Sequence, residues 1–220
     1  MPFIAICVFL YFMYSMIPLN VVTGYLMSAV FVFLLMVWIG ISVAQKEEET
    51  LEQILFLRIQ NNLKYYISKQ LFLVCIAFLI VFICTFFPFV QNQIHDGNVF
   101  VRPLTGDDLI NAFLILSGCA LCGGAVGNFF HPRVLKDRKM AIILATLLSV
   151  VSICRYNIAS SVSIMKYICF IFPPVMLPAN TYGNEDFFDL KKTIIIFLIL
   201  CVYALLYSMV KNYICNKRKF

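Results

Sequence analysis

Long apolar runs without a single charged residue constrain this chain more than any other feature. Three of them, at 21–44, 71–90 and 193–210, contain no Asp, Glu, Lys or Arg. About 20 helical residues cross a hydrocarbon layer about 30 Å thick, so each of these runs can span a membrane. Apolar residues make up 62% of the 220 residues and charged residues 13%, against about 45–50% and about 25% in soluble domains. The sequence excludes an ordinary soluble domain and predicts an all-α integral membrane protein.

Measured against that thickness, the chain divides into six predicted spans within one transmembrane domain, residues 1–220. The predicted spans cover 2–17, 21–44, 71–90, 109–130, 140–158 and 193–210. The first has no basic stretch before it and no small-residue cleavage site after it, so we expect it to be retained as a span. Residues 167–181 are apolar but are interrupted by Pro173, Pro174 and Pro178. This pattern predicts a re-entrant or interfacial segment between the fifth and sixth spans.

Basic residues are distributed unequally between the loops. Twelve of the seventeen Lys and Arg residues lie in 46–70, in 131–139 and in the tail after 210. Four lie in the alternate loops, and Arg155 lies within a span. Because loops rich in Lys and Arg stay in the cytoplasm, we expect both termini to be cytoplasmic. The basic tail is expected to contact anionic lipids of the inner leaflet.

The longest predicted cytoplasmic segment has the pattern of an amphipathic helix at 47–64. Three glutamates precede Thr50, a residue type that caps helices, and Leu51, Leu55 and Ile59 recur every four residues. Acidic residues at the start and basic residues further on suit the helix dipole. Two interpretations stay open: a solvated connector, or an element that docks into a groove of a cytoplasmic partner.

With this segment between its second and third spans, the sequence resembles the type 2 (ABC-2) permeases of ATP-binding-cassette exporters. That family has six spans, a coupling helix with a pattern close to Thr-Leu-Glu-x-Leu-Leu after the second span, and a Pro-containing half-inserted hairpin before the last. The chain matches the helix pattern at Thr50, Leu51, Glu52, Ile54 and Leu55, and the later Gly-Lys position at Ser68 and Lys69. Arg58 occupies the position of the family's turn proline, and residues 172–178 resemble the hairpin.

The resemblance implies a function. The chain would be a permease subunit in a bacterial plasma membrane, forming half of the export path for a peptide or an antibiotic and pairing with itself or with a similar permease. The residues implied to couple it to its ATPase are Thr50, Leu51, Glu52, Leu55, Arg58 and Lys69. The sequence contains no Gly-x-x-x-x-Gly-Lys-Ser/Thr phosphate loop. We therefore expect ATP and Mg²⁺ on a separate ATPase subunit, and neither enzymatic activity, a cofactor nor a nucleic-acid partner for this chain.

Small residues in the fourth predicted span are spaced for close helix packing. Ala120 pairs with Gly124, and Gly123 with Gly127, each four residues apart. Cys119 and Cys122 in the same span also have the spacing of a redox or zinc pair, but no second Cys or His pair accompanies them. Packing is therefore the favoured interpretation, and we expect all nine cysteines to be reduced.

Arg155 is the one basic residue placed within a predicted span, about 22 Å from its inner end. It either extends to the outer headgroups or contacts an anionic substrate or an outer gate, together with Pro173, Pro174 and Pro178. Both histidines, His95 and His131, lie in loops and are expected to be solvated.

Two other classes of protein were weighed against the permease. An intramembrane enzyme needs inward-facing His, Glu or Asp on its spans, and the predicted spans supply essentially none. A membrane sensor or immunity protein that binds a peptide outside without pumping is compatible with the sequence. It differs from the permease in needing no ATPase.

Overall fold

The described residues fold mainly into α-helices. The computed structural model describes residues 2–15, 18–45, 62–135, 137–161, 167, 169–183 and 185–217. Its named helices are α1 (Pro2–Ser15), α2 (Val21–Gln45), α3 (Asn62–Ile94), α4 (Gly106–Phe129), α5 (Arg138–Ser161), α6 (Leu177–Tyr182) and α7 (Leu190–Lys217). Within these ranges Leu19 and Phe100 form an isolated bridge and no strand occurs. The predicted all-α class is confirmed.

Five of these helices, α2, α3, α4, α5 and α7, are long and apolar enough to cross a membrane. Each of them contains or overlaps one predicted span. The helix α1 has 14 residues, which is about 21 Å at 1.5 Å per residue and falls short of a hydrocarbon layer of about 30 Å. The described residues therefore form the helices of a membrane-embedded protein, with five spans by length and one shorter apolar helix.

The helix α3 extends furthest beyond its predicted span. The helix α3 begins at Asn62 rather than at residue 71, because Lys64 and Lys69 end the apolar run without interrupting helical hydrogen bonding. The predicted coupling helix falls almost wholly outside the described residues. Its last positions, 62–64, belong to α3, while the predicted coupling residues Thr50, Leu51, Glu52, Leu55 and Arg58 lie in the segment 46–61 that the structure does not describe.

The helix α4 is the most deeply buried of the five long apolar helices and packs backbone to backbone against α2. A Cβ atom added at Gly123 would collide with the carbonyl oxygen of Phe33, and one at Gly127 with that of Val37. On the α2 side, a Cβ at Gly40 would lie 3.0 Å from backbone atoms of α4. Only glycine permits so close an approach of two helices.

The other small residues of α4 fill the space around this contact. Ala120 is fully buried, and a Cβ at Gly124 would lie 3.2 Å from the methyl carbon of Met36. Gly118 faces α7, where a Cβ would lie 2.9 Å from a methyl carbon of Leu200. The helix α4 is thus held between α2 and α7 by small side chains on both sides.

Side-chain and backbone hydrogen bonds gather the loops at the two ends of the bundle. The acidic end is defined here as residues 18–20, 95–108 and 185–190. There the Leu19 amide donates to the carbonyl of Val99, and the Asn20 side chain donates to Asp186 over 2.9 Å. The basic end is defined as residues 45, 62–69, 130–135, 137–139 and 211–217. There the Gln45 side chain donates to the carbonyl of Phe130. Successive long helices therefore run in opposite directions between two chemically different ends.

The glycine contact between α2 and α4 leads to a prediction about stability. We expect Gly127→Ala to destabilise the protein by about 1–3 kcal/mol, because the added methyl group meets a backbone carbonyl that no side-chain rotation can move away. Gly106→Ala is the matched control, since nothing lies within 4 Å of its Cβ position. Thermal unfolding in detergent measures both variants. Equal melting temperatures would contradict the packing described here.

Candidate functional site

The Pro-rich segment 169–183 meets α5 and α7 at Arg155. The Arg155 Nη1 donates to the carbonyl oxygen of Phe172 over 2.7 Å and lies 3.5 Å from the hydroxyl of Tyr203. Of the predicted gate prolines, Pro174 lines a cavity together with Arg155. Pro173 and Pro178 are buried instead, where they shape the segment.

Three successive carbonyls of this segment accept hydrogen bonds from side chains of other helices. Besides Phe172, the carbonyl of Phe170 accepts from the hydroxyl of Tyr203 at 2.8 Å, and that of Ile171 from Tyr207 at 3.2 Å. Tyr203 stands thirteen residues after Leu190, the first residue of α7, so it lies about 20 Å along that helix. The segment therefore reaches the level of the middle of α7, with its backbone carbonyls bonded to protein rather than to water.

A cavity of about 430 Å³ opens between α5 and this segment. Its polar lining residues are Ser152, Arg155, Ser160 and Asn180, and its larger apolar and aromatic lining residues are Tyr156, Phe170, Pro174, Met176 and Leu177. Pockets of 300–1,000 Å³ with a few polar groups in an apolar wall are typical of small-molecule sites. The cavity is amphipathic, with one cation at its wall.

The environment of Arg155 is aromatic and neutral. Its guanidinium carbon lies 5.9 Å from the ring centre of Phe170 and 5.7 Å from that of Tyr203, distances at which cation–π attraction operates. Among the residues that the structure describes, no carboxylate forms an ion pair with it. Neutral partners alone hold this side chain in place.

A second group of polar side chains lies at the basic end. Lys211 is 1% exposed, and its Nζ stands 5.1 Å from the ring centre of Tyr66. Lys69, the one predicted coupling residue that the structure describes, is 7% exposed. His131 packs edge-on to Tyr66, with 6.1 Å between ring centres. Arg133 donates to the carbonyl of Cys215 over 3.4 Å, which ties the loop after α4 to the end of α7.

The expectation that both histidines are solvated is wrong for His131, which is 1% exposed, and right for His95, which is exposed. The loop after α4 packs against the first turns of α3. The His131 ring accepts a hydrogen bond from the Arg133 amide at 3.3 Å. Burial, and then the charges of Lys69, Lys211 and Arg133, lower the pKa of His131 to about 2. The ring is therefore neutral at physiological pH.

The cysteines in α4 are part of the helix packing. Cys119 and Cys122 are both buried, and the Cys122 thiol donates to the carbonyl oxygen of Leu200 over 2.9 Å. Within the described ranges, no group of three His, Cys, Asp or Glu residues is arranged to hold a metal ion.

Sequence reasoning missed the tyrosines that organise both sites. Tyr203 and Tyr207 are four residues apart in an otherwise apolar helix, a spacing that places two hydroxyls on one face. That spacing was a usable signal. Tyr66 gave no signal, since its neighbour Tyr65 is the same residue type. The contacts of Tyr66 with His131, Lys211 and Arg133 appear only in the structure.

The buried histidine predicts a pH-dependent stability. The unfolded chain binds a proton on His131 below about pH 6.5. The folded chain does not, because the ring is buried and because the charges of Lys69, Lys211 and Arg133 act on it. We expect the free energy of unfolding to fall by up to about 1.4 kcal/mol per pH unit as the pH drops below 6.5. His131→Asn retains a side-chain acceptor and should flatten this dependence, while His95→Asn should leave it unchanged. Unfolding in detergent between pH 5 and 7.5 measures all three; identical slopes would contradict the prediction.

Comparison with known proteins assigns neither a family nor a function to this chain. No model of a protein family, no curated protein and no solved structure matches this chain. The function is therefore argued from the residues of the two sites and from the arrangement of the helices that position them.

Proposed function

We propose that this chain is the permease subunit of an ATP-driven exporter of the ABC-2 type. In this proposal, α1 is the sixth membrane span. The basic end and both termini lie in the cytoplasm of a bacterial cell, and residues 169–183 form a re-entrant segment open to the outside. The cargo is a peptide or an antibiotic. Six spans form half of a path, so the working unit is a dimer of this chain or a pair with a similar permease.

The observation that carries the proposal is the anchoring of α3 at the basic end. This helix has 33 residues, about 50 Å in length, which exceeds a hydrocarbon layer of about 30 Å. Its first turns hold Tyr66, whose ring contacts His131 and Arg133 of the loop after α4 and Lys211 of α7. They also hold Lys69, whose charge acts on His131. The predicted coupling helix connects to the start of α3, so a push on it would be transmitted to several spans at once.

The Arg155 cavity supports the same function from the other end. Non-helical backbone at the depth of a membrane is tolerated where its polar groups are satisfied by protein or line a cavity. The carbonyls of residues 170–172 bond to Tyr203, Tyr207 and Arg155, and Phe170 lines the cavity. In the proposal, Arg155 and Pro174 line the outer part of the export path. Because the sequence contains no phosphate loop, the energy comes from ATP and Mg²⁺ on a separate ATPase subunit.

The second candidate function is a sensor or immunity protein that binds a peptide without pumping. The amphipathic cavity favours binding of a ligand in either case. Only the exporter requires an ATPase partner, so the partner distinguishes the two functions.

Copurification tests the proposal. We expect the full-length protein, isolated in mild detergent from its native host, to carry a subunit with a phosphate loop. Glu52→Lys should reduce the recovered ATPase by about tenfold or more, the effect of about 1.4 kcal/mol at a charged contact. Glu185→Lys is the control, a charge reversal of the same kind at the acidic end, where Glu185 forms an exposed ion pair with Lys192.

Two results would count against the exporter. One is recovery of the intact wild-type protein with no nucleotide-binding subunit, which favours the sensor. The other is equal loss of the ATPase in both charge-reversal variants, which would remove the role given to Glu52.

A further inference from the structure

The positively charged guanidinium of Arg155 lies at the wall of a cavity, where it contacts neutral groups. Only Nη1 makes hydrogen bonds, to the Phe172 carbonyl oxygen and the Tyr203 hydroxyl. The ion pairs formed among the described residues do not involve this side chain. Arg155 is half-buried, and a cation partly removed from water is stabilised when an anion lies beside it. The site as folded therefore favours a negatively charged occupant.

The walls of the cavity define the rest of that occupant. Its volume is about 430 Å³, enough for a small molecule rather than a single ion. Ser160 and Asn180 add polar groups near Arg155, whereas Phe170 and Pro174 offer an apolar surface. A ligand that fits both walls combines one acidic group with an apolar body.

The cavity is accessible from the side on which lipid chains would lie. Two of its lining residues, Tyr156 and Phe170, are 61% and 70% exposed. The main helix contact of α5 is with α2. The two exposed rings at the cavity are the surface that would meet lipid chains in a membrane.

We infer that the Arg155 cavity binds an anionic amphiphile, with its carboxylate or phosphate on the guanidinium and its apolar body against Phe170 and Pro174. Such a molecule has two sources, an acidic phospholipid of the membrane or a free single-chain amphiphile. As a statement about cargo, the inference rests on the proposed function. As a statement about binding, it requires no ATPase.

Binding of a fluorescent fatty acid tests the inference. The full-length protein is placed in phosphatidylcholine nanodiscs and titrated with parinaric acid and, in parallel, with its uncharged methyl ester. We expect Arg155→Gln to weaken binding of the acid tenfold or more while binding of the ester is unchanged, and Arg155→Lys to retain part of the affinity. Lys192→Gln, a loss of charge at the acidic end near the same segment, should have no effect.

Two results would overturn the inference: equal affinities of the wild-type protein for acid and ester, or equal loss of affinity in Arg155→Gln and Lys192→Gln. Phosphatidylglycerol in the nanodisc separates the two sources. Competition with parinaric acid at a few mole per cent identifies a membrane lipid as the occupant, and absence of competition identifies a free amphiphile.

A measurement on the wild-type protein covers the case in which the Arg155 variants fail to fold. A photoactivatable fatty acid should label residues 152–160 or 169–180, and labelling confined to other helices would overturn the inference. The outcome is separable from that of the proposed function. Absence of an ATPase removes the exporter and leaves the binding site, whereas failed binding with an ATPase present removes the binding site alone.

Discussion

Within a bilayer, a backbone carbonyl has no water to bond, and this constraint shapes the whole molecule. Helices meet it with their own hydrogen bonds, which is why the described residues are almost entirely helical. Residues 170–172 are not helical, and their carbonyl oxygens accept hydrogen bonds from Arg155, Tyr203 and Tyr207 instead. A cation and two hydroxyls thus stabilise a non-helical segment level with the middle of α7.

The molecule is tightly packed around α4 and more loosely packed around α5. Glycines and other small residues lock α4 between α2 and α7, so these helices form a dense core. The helix α5 rests mainly on α2 and reaches α7 through Arg155 and the Pro-rich segment. Elements with few buried contacts are the ones that open at low free-energy cost. The cavity lies at this loosely packed boundary.

The opposite end of the bundle is organised by burial of basic side chains around aromatic rings. Lys211 and Arg133 stand over the ring of Tyr66, and His131 packs against its edge. Their long side chains join α3, the loop after α4 and α7 into one unit. The basic end of the protein is thus a cluster of cations around aromatic rings, whereas the Arg155 cavity lies closer to the level of the middle of α7.

Some of the candidate residues could be predicted and others could not. The spacing of Gly123 and Gly127 predicted close packing, but the five other predicted spans were equal candidates for the partner. Contact with α2 appears only in the structure. Arg155 was identified by its place in a span, yet its attachment to the Phe172 carbonyl depends on a segment seventeen residues away. His131 was assigned to solvent because a loop position carries no information about what folds over it.

The sequence alone determined the helical class, the approximate positions of the five long helices and the unequal charge of the two ends. These follow from length, hydropathy and charge, which are local properties that each segment carries wherever it lies. The tertiary structure decided which helices touch, which carbonyls lose their helical partners and which cations are buried. Those outcomes depend on residues far apart in the chain, and helices of similar apolar composition give no local sign of which neighbour they will meet.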